Sequence, residues 1–197
     1  MYTNGLQMVQ FMYSLLQKVS WFKPYICCIM KIRLLLFFIA MAGASVNIMG
    51  QVTWITFEEA VLKSKDNPKP IFIDVYTDWC GWCKKMDAAT FNDPKVAEVL
   101  QNEFYPVKFN AEQKESILFN DYTFKFVADG RRGYNELAAA LLDGKLSYPS
   151  VVFLNEKMER ITILAGYRGP DDFYPIVKFI GSGTYKTQTF EEYMQDM

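Results

Sequence analysis

Cys80 and Cys83 stand two residues apart in "DVYTDWCGWCKKM", residues 74–86, and each is preceded by a tryptophan. Thiols at this spacing can bind a metal, staple the chain, or exchange a disulfide. A structural zinc site wants four Cys or His ligands, commonly as two such knuckles. The chain has no histidine, and its other cysteines, Cys27 and Cys28, fall in a separate N-terminal stretch. From residue 51 onward a tetrahedral site therefore cannot be completed within one chain, and no metal is expected. The missing histidine also removes every imidazole-based catalytic triad. A staple fits poorly too, because closing so short a loop removes little entropy from the unfolded chain.

Disulfide exchange has positive arguments. Cys80 follows the strand-forming run "IFIDVY" (71–76) and opens a helix. Unpaired N–H groups and the helix dipole favour a thiolate there. Lys84 and Lys85 add positive potential. Cys83, one turn in, faces the same way and can attack a mixed disulfide on Cys80. The pair can close and reopen with little backbone movement.

The elements that must hold this pair are readable along the body. "TFEEAVLKSK" has Thr56 and Glu59 at capping-box spacing and an apolar stripe of Phe57, Ala60 and Val61, which predicts a helix. "DNPKP" breaks it, and strand 71–76 follows. The cysteine helix should run to about Ala89. Asn92 or Asp93 then caps another helix with Pro94 in its first turn. "YPVKFNA" (105–111) is the next strand, and a long insertion at about 114–147 ends in the helix "YNELAAALLDG". "PSVVFLN" and "RITILAG" form a hairpin, and "GPDDFYPIVKFI" is the last strong helix. Strands alternating with helices and ending in a hairpin imply an α/β fold, with a mixed sheet covered on both faces.

Composition bounds the rest. With 197 residues, 51% hydrophobic and 22% charged, the chain suits one globular domain. A formal net charge of −1 gives no reason to expect nucleic acid as a partner. Residues 1–50 hold Lys18, Lys23, Lys31 and Arg33 and no acidic group, which leaves 17 basic against 22 acidic groups, a formal −5, for the remainder. Such a leader reads as a targeting segment. From Met30 it has two positive charges, an apolar core from Leu34 to Ala44, then small residues. That core is short for a bilayer span and right for a signal peptide. Cleavage is expected after Gly50, with Ala44 as the other site, placing the mature protein outside the cytoplasm, in a periplasmic or equivalent compartment. An uncleaved membrane anchor is the alternative. A domain over 51–183 and a tail over 184–197 complete the expected organisation.

"IFIDVYTDWCGWCKKM" resembles the active-site strand and helix of thioredoxin-fold oxidoreductases, with an Asp in the apolar strand and then Trp-Cys-Gly-x-Cys-Lys. "SYPSVVFL" is similar to the segment that opens the family's antiparallel hairpin with a cis-proline, and "VKFNAEQ" to the strand offering a lysine to the Asp. The matches run in order over most of residues 54–181. The resemblance implies a thioredoxin-like fold with a helical insertion before the cis-proline, and a redox-active Cys80–Cys83 disulfide in place of any cofactor. Cys80 would be the exposed nucleophile and Cys83 the resolving thiol. Asp74, costly to bury ionised, would have a raised pKa and relay a proton to and from Cys83, with Lys108 moderating that cost. A wet strand end is the bland alternative for Asp74. Pro149 would be cis, and Tyr148 would offer its backbone to an incoming peptide. Trp79 would pack beside Cys80 or simply fill core, and Trp82 would be exposed to partners.

Two departures matter. Gly-Trp stands between the cysteines where ordinary thioredoxin has Gly-Pro, as in a subgroup of exported thioredoxin-like proteins. The insertion exceeds the family minimum and is expected near the cysteines, shaping what can dock. The expected activity is reduction of disulfides in exported proteins by a monomer, supplied by a membrane electron donor. An oxidant or isomerase, and a non-enzymatic adaptor or holdase, are the alternatives.

Overall fold

The computed structural model describes residues 51–197. The leader, its expected cleavage point, Cys27 and Cys28 lie outside the described residues. No described helix is long and apolar enough to cross a membrane.

Helix α1 (Phe57–Asp66) begins at a closed capping box: the Glu59 N–H donates to Thr56 Oγ1 at 3.2 Å, and the Thr56 N–H donates to Glu59 at 2.9 Å. Strand β1 (Ile71–Tyr76) follows, then α2 (Gly81–Met86), which continues into a π-helical turn over Asp87–Phe91. Asp93 caps α3 (Pro94–Glu103), which leads into β2 (Tyr105–Asn110). The insertion holds two hairpins, β3 (Ile117–Phe119) with β4 (Tyr122–Phe124) and β5 (Phe126–Asp129) with β6 (Arg132–Asn135), and then α4 (Glu136–Leu141). Strands β7 (Ser150–Leu154) and β8 (Arg160–Ala165) make the expected hairpin before α5 (Pro170–Gly181). The tail is not loose: α6 (Phe190–Asp196) sets Phe190 and Tyr193 against Phe179 of α5, at ring distances of 5.3 and 5.1 Å.

The central sheet has the order β2-β1-β7-β8, with β1 parallel to β2 and the other pairs antiparallel. Ile55 adds a single parallel bridge on β2. Successive side chains of β1 alternate between two cores. Ile71, Ile73 and Val75 join Val107, Phe109 and Val152 beneath α1 and α4. Phe72 and Phe153 join Phe91, Phe104, Leu100 and Phe173 beneath α3 and α5. Phe72 is the hub of that second core, with Phe91, Phe104, Phe153 and Phe173 all edge-on within 6.3 Å. Asp74 is two residues further along β1, on the same aromatic face.

From sequence the insertion holds a Gly-Arg-rich turn and one helix, and the turn is the one that joins β5 to β6. The helix is present, but two hairpins precede it. Their strands are three or four residues long, too short for a clear alternation. Gly133 marks the close approach in the second hairpin, since a Cβ there would sit 2.3 Å from the Phe126 ring. Asn135 ties the insertion back to the end of β2. It is buried, its amide donates to the Glu115 carbonyl at 3.0 Å, its Oδ1 caps α4 through the Leu137 N–H, and its own N–H donates to the Ala111 carbonyl. Asn135→Ala is expected to cost about 2 kcal/mol, from a lost helix cap and the lost amide bond to the Glu115 carbonyl, measured by urea unfolding.

Candidate functional site

Cys80 is the N-cap of α2, and its sulfur accepts the Cys83 N–H at 3.0 Å. A donor aimed at that sulfur favours the thiolate once the disulfide opens. The two cysteines are joined by a disulfide, with Cα atoms 5.3 Å apart. The expected contrast between an exposed Cys80 and a shielded Cys83 is slight here, since they expose 4% and 2% of their surface. Cys80 is thus buried in the closed pair rather than exposed as expected, because its sulfur is held against the first turn of α2.

The tryptophans behave differently. Trp79 and Trp82 are 51% and 57% exposed, so neither is core. The Trp79 N–H donates to Glu112 at 2.9 Å, and its ring stands edge-on to Tyr148 at 6.1 Å. The Arg132 guanidinium, on β6 of the insertion, lies 4.0 Å from the centre of the same ring. Trp82 packs against Tyr167 at 5.4 Å, and the Lys85 ammonium sits over both rings at 4.8 and 5.0 Å. The Tyr148–Pro149 peptide bond is cis and leads directly into β7 beside β1. Burial, with Glu112 nearby, pushes the Tyr148 phenol up to about 12, so it stays protonated.

Asp74 is 1% exposed and so does not sit at a wet strand end. The parallel register pairs it with Lys108, whose Nζ donates to Asp74 Oδ2 at 2.5 Å. Lys108 also pairs with Asp87, which follows α2 directly. One ammonium thus serves two carboxylates, and Asp74 Oδ1 has no hydrogen-bond partner. Burial in the aromatic face raises the Asp74 pKa to about 6; Lys108 pulls it back only in part, and the charge of Asp87 adds to the rise. Burial alone would lower Lys108, but its two carboxylate partners outweigh that and keep it charged. A cavity of about 430 Å³, lined among others by Trp54, Lys84, Asp87, Phe91 and Lys108, opens beside this pair.

The structure thus pairs Asp74 with Lys108, which also reaches Asp87 at the end of the cysteine helix, and sets the ring of Trp79, the residue before Cys80, against Tyr148. Asp87 escaped the sequence reading. It lies four residues after Cys83, on the same helical side, and that spacing was the available signal. Arg132 carried no local signal, because a contact 53 positions away from Trp79 depends on how the insertion folds.

Comparison with known proteins bears on the family of the chain. Residues 46–174 match the family described as Thioredox_DsbH, a protein of unknown function, DUF255. An uncharacterized protein of Caenorhabditis elegans is 30% identical over 115 residues, which covers 58% of this chain and 14% of that protein. The thiol:disulfide interchange protein DsbD of Salmonella typhi is 38% identical over 61 residues, covering 31% of this chain and 10% of that protein. The chain therefore spans about one seventh or less of the length of these curated relatives. Among solved structures, a DsbH oxidoreductase superposes with a TM-score of 0.49 at 20% identity, over 68% of this chain and 88% of the other. With a match over well more than half its length, and a mixed sheet that carries a closed CxxC pair and a cis-proline, this chain belongs to the thioredoxin-like Thioredox_DsbH family.

Proposed function

We propose that this protein is a thiol–disulfide oxidoreductase that reduces disulfides in exported proteins through Cys80 and Cys83. The observation that carries the reading is the closed Cys80–Cys83 pair at the start of α2, on an element whose end is tied to the buried Asp74–Lys108 pair. The match to a relative named for thiol:disulfide interchange supports it.

In the reducing direction the Cys80 thiolate attacks one sulfur of a substrate disulfide. The substrate S–S bond breaks, a Cys80–substrate disulfide forms, and the first substrate thiolate leaves and takes a proton from water. Cys83 then gives its proton to Asp74 and attacks the Cys80 sulfur. The second substrate thiolate leaves, and the Cys80–Cys83 disulfide remains. Two electrons have passed to the substrate, so a dithiol donor must restore the protein, and at an exported site that donor is membrane-borne. With a pKa of about 6, Asp74 is basic enough to take the proton and acidic enough to return it. Its unpartnered Oδ1 is the atom free to hold it. Export rests on the basic, acid-free leader.

The redox potential tests the direction. Equilibrating the protein with a graded glutathione series should place the pair near about −270 mV, the reducing end of this fold's range. A value near about −120 mV would make it an oxidant instead. Failure to reduce insulin disulfides, with substrate binding kept when Cys80 is replaced, would favour the adaptor reading.

A further inference from the structure

The two tryptophans that bracket Cys80 each carry a cation, and among the described residues neither cation has a carboxylate in an ion pair. Arg132 lies over Trp79 and Lys85 lies over Trp82 and Tyr167. The ion pairs among the described residues involve Lys108, Arg160 and Lys186, but not Arg132 or Lys85. Three carboxylates lie near these cations: Glu112 accepts the Trp79 N–H, Asp78 accepts from the Asn110 amide at 3.2 Å, and Asp129 stands opposite Arg132 in the β5–β6 hairpin without forming an ion pair with it. The Trp79 ring is therefore held at its edge by Glu112 and against Tyr148, while one face seats the guanidinium.

A guanidinium stacked on a ring keeps the N–H donors around its own edge free, in the fork that matches a carboxylate. Seating each cation on aromatic faces also removes much of its freedom before a partner arrives, so less is lost on binding. The cations come from separate elements, β6 and α2, and the rings that seat them stand at the positions just before and two after Cys80. A single neutral or basic segment would leave both unmatched.

Building on the oxidoreductase reading, we infer that Arg132 and Lys85 form an anion-reading rim that selects substrates whose cysteine is flanked by acidic residues. The partner is an extended polypeptide carrying Asp or Glu on both sides of the sulfur that meets Cys80. The insertion then serves specificity, since it supplies one of the two cations.

The test uses the full chain in its oxidised form and three ten-residue peptides in which serine replaces the central cysteine, flanked by Glu, Gln or Lys. Tryptophan fluorescence reads binding without any redox step. The Glu peptide is expected to bind about tenfold more tightly than the Gln peptide, with the difference fading at high salt. Arg132→Gln combined with Lys85→Gln should abolish that preference. Arg132→Glu combined with Lys85→Glu should reverse it towards the Lys peptide, a gain that misfolding cannot mimic. Equal binding of all three peptides by the wild type, or a preference unchanged in both double variants, overturns the inference. Cysteine-containing versions of the peptides separate the two readings. If binding discriminates but no peptide exchanges its disulfide, the rim stands and the oxidoreductase reading falls. If exchange proceeds at equal rates with equal binding, the reverse holds.

Discussion

Cys80→Ser is expected to lose insulin-disulfide reduction by at least about 10³-fold, because the hydroxyl that replaces the thiolate cannot attack a disulfide at neutral pH. Cys83→Ser should behave differently. Its Cys80 can still attack, so the first bond exchange proceeds, but nothing resolves the product. A covalent Cys80–substrate species should accumulate on non-reducing gels and vanish on adding dithiothreitol. The asymmetry follows from position. Cys80 is the cap of α2 and receives the Cys83 N–H, whereas Cys83 lies inside the first turn. If Cys80→Ser reduced insulin as fast as the wild type, or if Cys83→Ser trapped nothing, the Cys80-first order would be wrong. Equal traps from both variants would mean that the fold does not distinguish the two thiols.

Asp74→Asn should separate the proton relay from plain structure. The buried carboxylate has a pKa near 6, above the ordinary value of 3.8 it regains on unfolding. The folded state therefore holds this proton more tightly, and the group favours folding most below about pH 4. That contribution falls as pH rises from about 4 to 6 and stays lost above it. The difference of about two units corresponds to about 3 kcal/mol at pH 8. Asparagine cannot ionise, so the variant should be about 1 to 3 kcal/mol more stable than the wild type at pH 8, the value near 6 already including the pull of Lys108. Lys108 would keep Asp87 as its partner. Urea unfolding of the oxidised protein between pH 4 and 8 measures both slopes. In the same variant, Cys83 loses its proton acceptor, and release of substrate from the mixed disulfide should slow by about 10²-fold. A variant that was more stable but resolved the mixed disulfide at the wild-type rate would leave Asp74 a buried carboxylate with no part in the exchange.

The two expectations lean on different kinds of information. Cys80 and Cys83 were identifiable from spacing and from the absence of other ligands, because a CxxC at a strand-to-helix junction is a local pattern. Thr56 and Glu59, Asp93 with Pro94, and the β7–β8 hairpin are local in the same sense, and each formed where its residues predicted. Asp74 could be placed in an apolar run, but its burial depends on Phe72, Phe91 and Phe153 closing over one face of β1. Its ion pair depends on the β1–β2 register. The insertion shows the limit most clearly. Its short strands carry too few residues for a period, and they are held by Ile117 in the core and by Asn135 reaching back to residues 111 and 115.

The sequence by itself thus determined the spacing of the cysteine pair, the order of the main elements and their caps, all of which are set by residues within a turn or two of one another. Only the tertiary structure decided the company that pair keeps: Asp87 sharing Lys108, and Arg132 laid on Trp79. Those contacts join positions 21 and 53 residues apart, where packing and sheet register, rather than local preference, determine what meets.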